Sequence, residues 1–191
     1  MTDTLPDLGI WAPGCAYCRS ENHGIARPER WIRLCVLHST EGTNRPGSAL
    51  DLAQDFRPRA KPGQGRSYHF VLDDWETVQL VPEAFEAWAA GETANRCGIH
   101  VALVGRSARE DWPARPAWNR AAELCAGICA RHGLGLAFVE AASFPAQCGL
   151  TSHNQCRIAW HETTHIDPGG VAEEHWDWAA FVRRVRDFAG V

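Results

Sequence analysis

The stretch Gly98-Ile99-His100-Val101-Ala102-Leu103-Val104 has one ring nitrogen pair and no charge in seven residues. A run this apolar has no solvent face, so it predicts a central strand covered on both sides. Trp31-Ile32-Arg33-Leu34-Cys35-Val36-Leu37-His38 predicts a second buried strand, about 31–38, with His38 as the polar group at its exit. Covering such strands takes helices, and the rest of the chain supplies them. Leu52, Ala53 and Phe56 share a face over about 49–57, with Ser48 placed to cap. A longer helix is expected over about 116–132, ended by Gly133, and a last one over about 173–188 with Trp178, Phe181 and Val185 on one side. Further strands are expected at about 67–72, 77–81 and 135–139. The pattern is α/β: a mixed central sheet of about five strands flanked by helices. Residues 1–28, with Pro6, Pro13, Gly14, Gly24 and Pro28, read as an irregular arm before one domain, 29–191.

A chain of 191 residues with 45% apolar content can bury a substantial single core. Net charge is −4, which argues against nucleic acid or an anionic membrane surface as partner. No apolar stretch approaches the ~20 residues of a membrane span. Met1-Thr2-Asp3-Thr4-Leu5-Pro6-Asp7 is acidic and lacks the pattern of a secretory signal, so synthesis and retention in the cytoplasm are expected. A monomer is expected.

Eight cysteines are many for such a chain. Cys15-Ala16-Tyr17-Cys18 with His23 nearby has the look of half a zinc knuckle or a redox pair, but no second CxxC completes it. Cys125 and Cys129, one turn apart, read as core. Cys148 and Cys156 bracket His153, where a disulfide would brace the loop.

Two imidazoles and a carboxylate, His38, His153 and Asp167, have the composition of a hydrolytic zinc site, which leaves the fourth position open. Spacing alone says little; the surrounding blocks say more. These are Cys35-Val36-Leu37-His38-Ser39-Thr40, Ser67-Tyr68-His69-Phe70-Val71-Leu72-Asp73-Asp74, Thr77-Val78-Gln79-Leu80-Val81-Pro82, Ala87-Trp88-Ala89-Ala90-Gly91 with Asn95, the strand Gly98 to Gly105, and Ser152-His153 with Thr164-His165-Ile166-Asp167-Pro168-Gly169. In this order they resemble the type-2 N-acetylmuramoyl-L-alanine amidases: phage lysins, bacterial wall amidases and animal peptidoglycan recognition proteins. Gly105-Arg106-Ser107-Ala108-Arg109-Glu110-Asp111-Trp112 and the Thr-His-x-Asp-Pro-Gly ending look most like lysins of actinobacterial phages.

The resemblance implies an α/β domain that binds Zn2+ through His38, His153 and Asp167. It also implies cleavage of the amide between N-acetylmuramic acid and L-alanine in peptidoglycan, with action on the cell wall after release. It assigns Tyr68 to orienting water beside the metal and His165 to stabilising the oxyanion. Trp88 and Asn95 match positions near the substrate cleft. Many members carry a glutamate base where this chain has Ala102; His100, on the same strand face, is a candidate to replace it or to contact substrate. Arg106, Arg109 and Arg115 could attract an acidic stem peptide. The substitution at 102 also keeps a second reading open, a muropeptide-binding protein with little or no turnover.

Overall fold

The structure, a computed structural model, describes residues 14–58, 64–107, 115–170 and 173–191. A six-stranded sheet forms its middle, in the order β1 (Ala16–Tyr17), β5 (Thr77–Gln79), β4 (Phe70–Leu72), β7 (Gly98–Leu103), β3 (Leu34–Ser39) and β8 (Gly149–Ser152). Only the β4–β5 pair is antiparallel; the remaining pairs are parallel, which makes the sheet mixed. The two apolar runs of the sequence lie side by side at its centre, paired from Leu34↔Gly98 to Ser39↔Leu103. A small second sheet pairs β2 (His23–Ala26) with β6 (Phe85–Ala87).

Strand period sorts the side chains between two faces. Cys35 and Leu37 of β3, Phe70 and Leu72 of β4, and Ile99, Val101 and Leu103 of β7 all join one core. That core also takes the buried faces of α3 (Arg115–His132) and α5 (Trp178–Ala189). Each fully buried aliphatic or aromatic side chain there is worth roughly 1.5–3 kcal/mol of transfer energy. The alternate residues point the other way. Val71, Val78 and Ala102 pack with α1 (Ser48–Asp55), and Leu34 and Val36 pack with α2 (Glu92–Cys97) and α4 (His153–Trp160). His38 and His100 belong to this second face by register, because Val36 pairs His100 and His38 pairs Ala102.

Several local details differ from the sequence reading. Ser48 is the first helical residue of α1 rather than its cap; Gly47, at φ 83°, is the cap, and Asp73 reaches across to accept from Ala49 N at 2.9 Å. The fully buried Asp73 also accepts from Trp75 N and Glu76 N, both at 2.8 Å, so one carboxylate closes the β4–β5 turn and caps a helix. Replacing it by alanine leaves these donors without acceptors, and Asp73→Ala should lower unfolding free energy by about 1–3 kcal/mol in a denaturant titration. The expected strand at 135–139 shrinks to a single bridge, Phe138↔Leu150. Gly133, at φ 62°, follows α3 as expected. Within the 1–28 segment, residues 1–13 lie outside the described residues. The remainder carries β1 and β2, and buried Arg27 donates to the carbonyls of Asn95 (2.6 Å) and Arg96 (3.0 Å) at the end of α2. Among the described residues no helix is long and apolar enough to cross a membrane.

All eight cysteines are free. Cys15 packs on the α3 core and Cys18 on the α1 core, so the CxxC thiols face different sides of the sheet. Cys148 and Cys156 likewise join separate clusters, which rules out the bracing disulfide. Cys125 and Cys129 are core residues.

Candidate metal centre

The carboxyl ends of β3 and β8 meet at one rim of the sheet, the usual place for ligands in α/β folds. Leu37 and Ser152 are register partners, so the residues that follow them, His38 and His153, emerge together. Ser152 caps α4 by accepting from Gln155 N at 2.9 Å, which makes His153 the first helical residue. Asp167 is tied to both: Asn154 N donates to its carbonyl (3.1 Å) and Ser39 N to its Oδ2 (3.0 Å).

The three side chains converge on one point. His38 Nδ1 lies 3.1 Å from His153 Nδ1 and 3.4 Å from Asp167 Oδ2, and His153 Nδ1 lies 3.0 Å from Asp167 Oδ1. Zinc–nitrogen bonds of 2.0–2.1 Å put tetrahedral donors roughly 3.3 Å apart, so the observed edges suit one small cation. These three form the one His/Cys/Asp/Glu group among the described residues compact enough to hold a metal ion. Their protonation suits it too. Burial pulls the His38 imidazole down to about 4, against the opposing pull of Asp167, so the ring is neutral at pH 7. Burial would raise the Asp167 carboxyl, but hydrogen bonds with His153 and His38 outweigh it and hold the group below its usual range. A neutral imidazole and an ionised carboxylate are the forms that bind metal.

The outer nitrogens are held as well. His153 Nε2 lies 3.1 Å from Thr163 Oγ1, and His38 Nε2 lies 3.0 Å from His100 Nδ1. Metal-binding imidazoles almost always have such a partner on the far nitrogen. Thr163 was not among the sequence candidates; its place two residues before His165 gives no separate signal.

The other candidates fall into three places. Tyr68 packs its ring against His38 at 5.1 Å and against Phe56 at 5.9 Å, on the wall of a cleft of about 380 Å³. Burial pushes its phenol above the usual tyrosine value, so it is a neutral donor and acceptor. His165 is exposed and stacks on His153, with centroids 5.2 Å apart and planes 9° from parallel. It lines a second cleft, about 500 Å³, together with Asp167 and Glu41. Glu41 went unnoticed in the sequence, although its backbone is left-handed (φ 55°) and its Oε1 accepts from Ser39 Oγ at 2.7 Å and Ser107 N at 3.1 Å.

Three candidates lie elsewhere. His100 is fully buried behind His38 and cannot touch a substrate, a correction that follows from its inward-facing strand position. Asn95 Oδ1 accepts from Ala89 N (2.9 Å) and Ala90 N (2.8 Å), which uses its acceptor on the local backbone. Trp88 is partly buried, and its ring lies so close to Gly65 that a Cβ there would meet it at 2.6 Å. Ala102 is fully buried in the α1 core, with no polar group in its place. Arg106 and Arg115 are exposed, His161 caps the end of α4 in solvent, and Arg109 lies outside the described residues.

Residues 27–170 match the family described as N-acetylmuramoyl-L-alanine amidase. No curated protein matches the chain. Among solved structures, a Staphylococcus aureus hydrolase, AmiA, in complex with its ligand is 16% identical, with a TM-score of 0.69 over 94% of this chain and 85% of that one. A mutant endolysin from Bacillus subtilis is 20% identical (TM-score 0.63, 90% and 97% covered). An AmpD derivative is 24% identical (TM-score 0.64, 96% and 98% covered). At these identities the structures share the fold.

Proposed function

The chain belongs to the N-acetylmuramoyl-L-alanine amidase family, and from that premise we propose that it is a zinc-dependent hydrolase of the bond between N-acetylmuramic acid and L-alanine in peptidoglycan. Membership supports peptidoglycan amidase activity; zinc dependence, a lytic role in the manner of an endolysin and the residue roles are our reading. We place the catalytic domain from β1 onward rather than at 29–191, since β1 pairs with β5 in the central sheet and Arg27 is tied to the end of α2. The observation that carries the reading is the convergence of His38 Nδ1, His153 Nδ1 and the Asp167 carboxylate within 3.0–3.4 Å of one another.

A zinc ion held by these three would supply Lewis acidity, which polarises a carbonyl and acidifies water to a pKa of about 7. The chain's own groups do the rest. Ser39 N–H aims the Asp167 carboxylate, and Thr163 Oγ1 fixes the tautomer of His153 by accepting from Nε2–H. His165, exposed and stacked on His153, is free to donate to the oxygen that gains charge as the amide is attacked. The Tyr68 hydroxyl, neutral on the opposite wall beside His38, orients water by hydrogen bonding. The two clefts accommodate the substrate on either side of this centre.

A second reading rests on Ala102. A muropeptide-binding protein with little turnover would need the clefts and not a glutamate base. Incubation with purified sacculi separates the two: the amidase releases new L-alanine amino termini, and the binding protein retains fragments without releasing any. Tyr68→Phe and His165→Ala should each keep zinc at wild-type stoichiometry and slow turnover about 10²–10³-fold, the usual scale for one oxyanion or proton-transfer group. Full rate in either variant removes that residue from the mechanism.

A further inference from the structure

His38 turns Nδ1 toward His153 and Asp167; with that nitrogen given to zinc, the neutral ring carries its proton on Nε2, which needs an acceptor. That position is commonly filled by a carboxylate, a carbonyl or water. Here it is filled by another imidazole, His100 Nδ1, at 3.0 Å and out of reach of solvent. For His100 to accept, its own proton must lie on Nε2. That nitrogen is buried and has no hydrogen-bond partner. An orphaned buried donor costs stability, and such costs persist where a function holds them in place.

The ring is not loose. His100 N–H donates to His69 Nδ1 at 2.9 Å, and the two rings stack with centroids 5.7 Å apart. His69 therefore carries its proton on Nε2, which reaches the Phe85 carbonyl at 2.9 Å. The Arg27 guanidinium, 3.1 Å from the same nitrogen and donating to the Glu83 carbonyl at 3.2 Å, sets a fixed positive charge behind the stack. A second positive charge on either ring is disfavoured by burial and by that guanidinium together.

We propose that His100 is a positioning residue: as the neutral tautomer protonated on Nε2, it accepts the His38 Nε2–H and locks His38 Nδ1 toward the metal. The inference rests on the reading of His38, His153 and Asp167 as zinc ligands. It replaces a substrate or base role for His100 with one inside the protein.

The test compares two variants by zinc titration against a chelating dye, with zinc alone as the probe. His100→Asn puts an amide oxygen near the place of Nδ1 and should bind zinc within a few-fold of wild type. His100→Leu fills similar volume, removes the acceptor and the orphaned donor, and should bind zinc about 10–100-fold more weakly. Equal affinity in wild type and His100→Leu overturns the proposal, as does an equal fall in both variants. Should the leucine variant not fold, the tautomers are read in the wild type by long-range 1H–15N correlation. In the zinc-loaded chain, bare Nδ1 and protonated Nε2 on His100 support the proposal, and the reverse pattern overturns it. Failure of the zinc site itself looks different: the wild type and His153→Ala would then both bind no zinc.

Discussion

His153→Ala should abolish zinc binding and turnover together while leaving the fold intact; this is the largest effect expected from one substitution. The residue is 3% exposed, and its Nδ1 is one of three donors at the centre. Losing a partner of a ligand typically costs 10–100-fold in metal affinity, and losing a ligand must cost more. Lewis acidity is worth several kcal/mol at the transition state, and each 1.4 kcal/mol is about tenfold in rate, so turnover should fall at least about 10³-fold. The loss reaches further, because His165 stacks on the ring that is removed. Circular dichroism should change little, since α4 keeps its Ser152 cap, while the melting temperature should fall because the buried Asp167 carboxylate loses a partner. His161→Ala serves as the control: that imidazole is exposed at the other end of the same helix and should leave zinc and rate unchanged. Metal content by mass spectrometry and release of L-alanine termini check both.

The second large effect concerns stability. Glu83 is 2% exposed and holds Arg131 at 2.5 Å and His132 at 2.6 Å, joining the segment after β5 to the end of α3. Removing one partner of a buried ion pair strands the other, so Glu83→Ala should cost about 3–5 kcal/mol. In a chain this long that lowers the melting temperature by about 6–20 °C. The pH dependence has a definite sign. Burial would raise the Glu83 carboxyl, but the hydrogen bonds from His132 and Arg131 outweigh it, and its pKa is lowered from 4.5. A depressed folded pKa contributes stability that is complete above the unfolded value and lost as pH falls through the folded one. The gap in stability between wild type and Glu83→Gln should therefore be widest above about pH 4.5 and narrow in acid. A constant gap down to pH 2 contradicts the ion pair.

The sheet's centre was legible because β3 and β7 are apolar at almost every position, which leaves a strand no alternative to burial on both faces. The edges were not. β1, at one edge of the central sheet, and β6, in the small second sheet, have two and three residues, too short for any periodicity, and they exist because the neighbouring strands offer open backbone groups. α4 carries a readable start signal, Ser152-x-x-Gln155 ahead of a helical stretch, which makes His153 a helix residue rather than a loop ligand. Asp177 similarly marks the true start of α5, where its Oδ1 accepts from Ala180 N at 2.8 Å. The three candidate ligands were found through the blocks around them, and their convergence follows from register between β3 and β8, which no local pattern encodes. His100 was placed on the correct face by strand period. That it backs His38 rather than facing a cleft depends on how the inward-facing side chains pack together, and sequence spacing does not carry that information.

Zinc dependence is decided by stripping the purified chain of metal and returning zinc in measured steps during digestion of sacculi. Amidase activity should be absent at the start, rise in proportion to zinc added, and level off at one ion per chain. Release of L-alanine termini at full rate by the metal-free chain would contradict it.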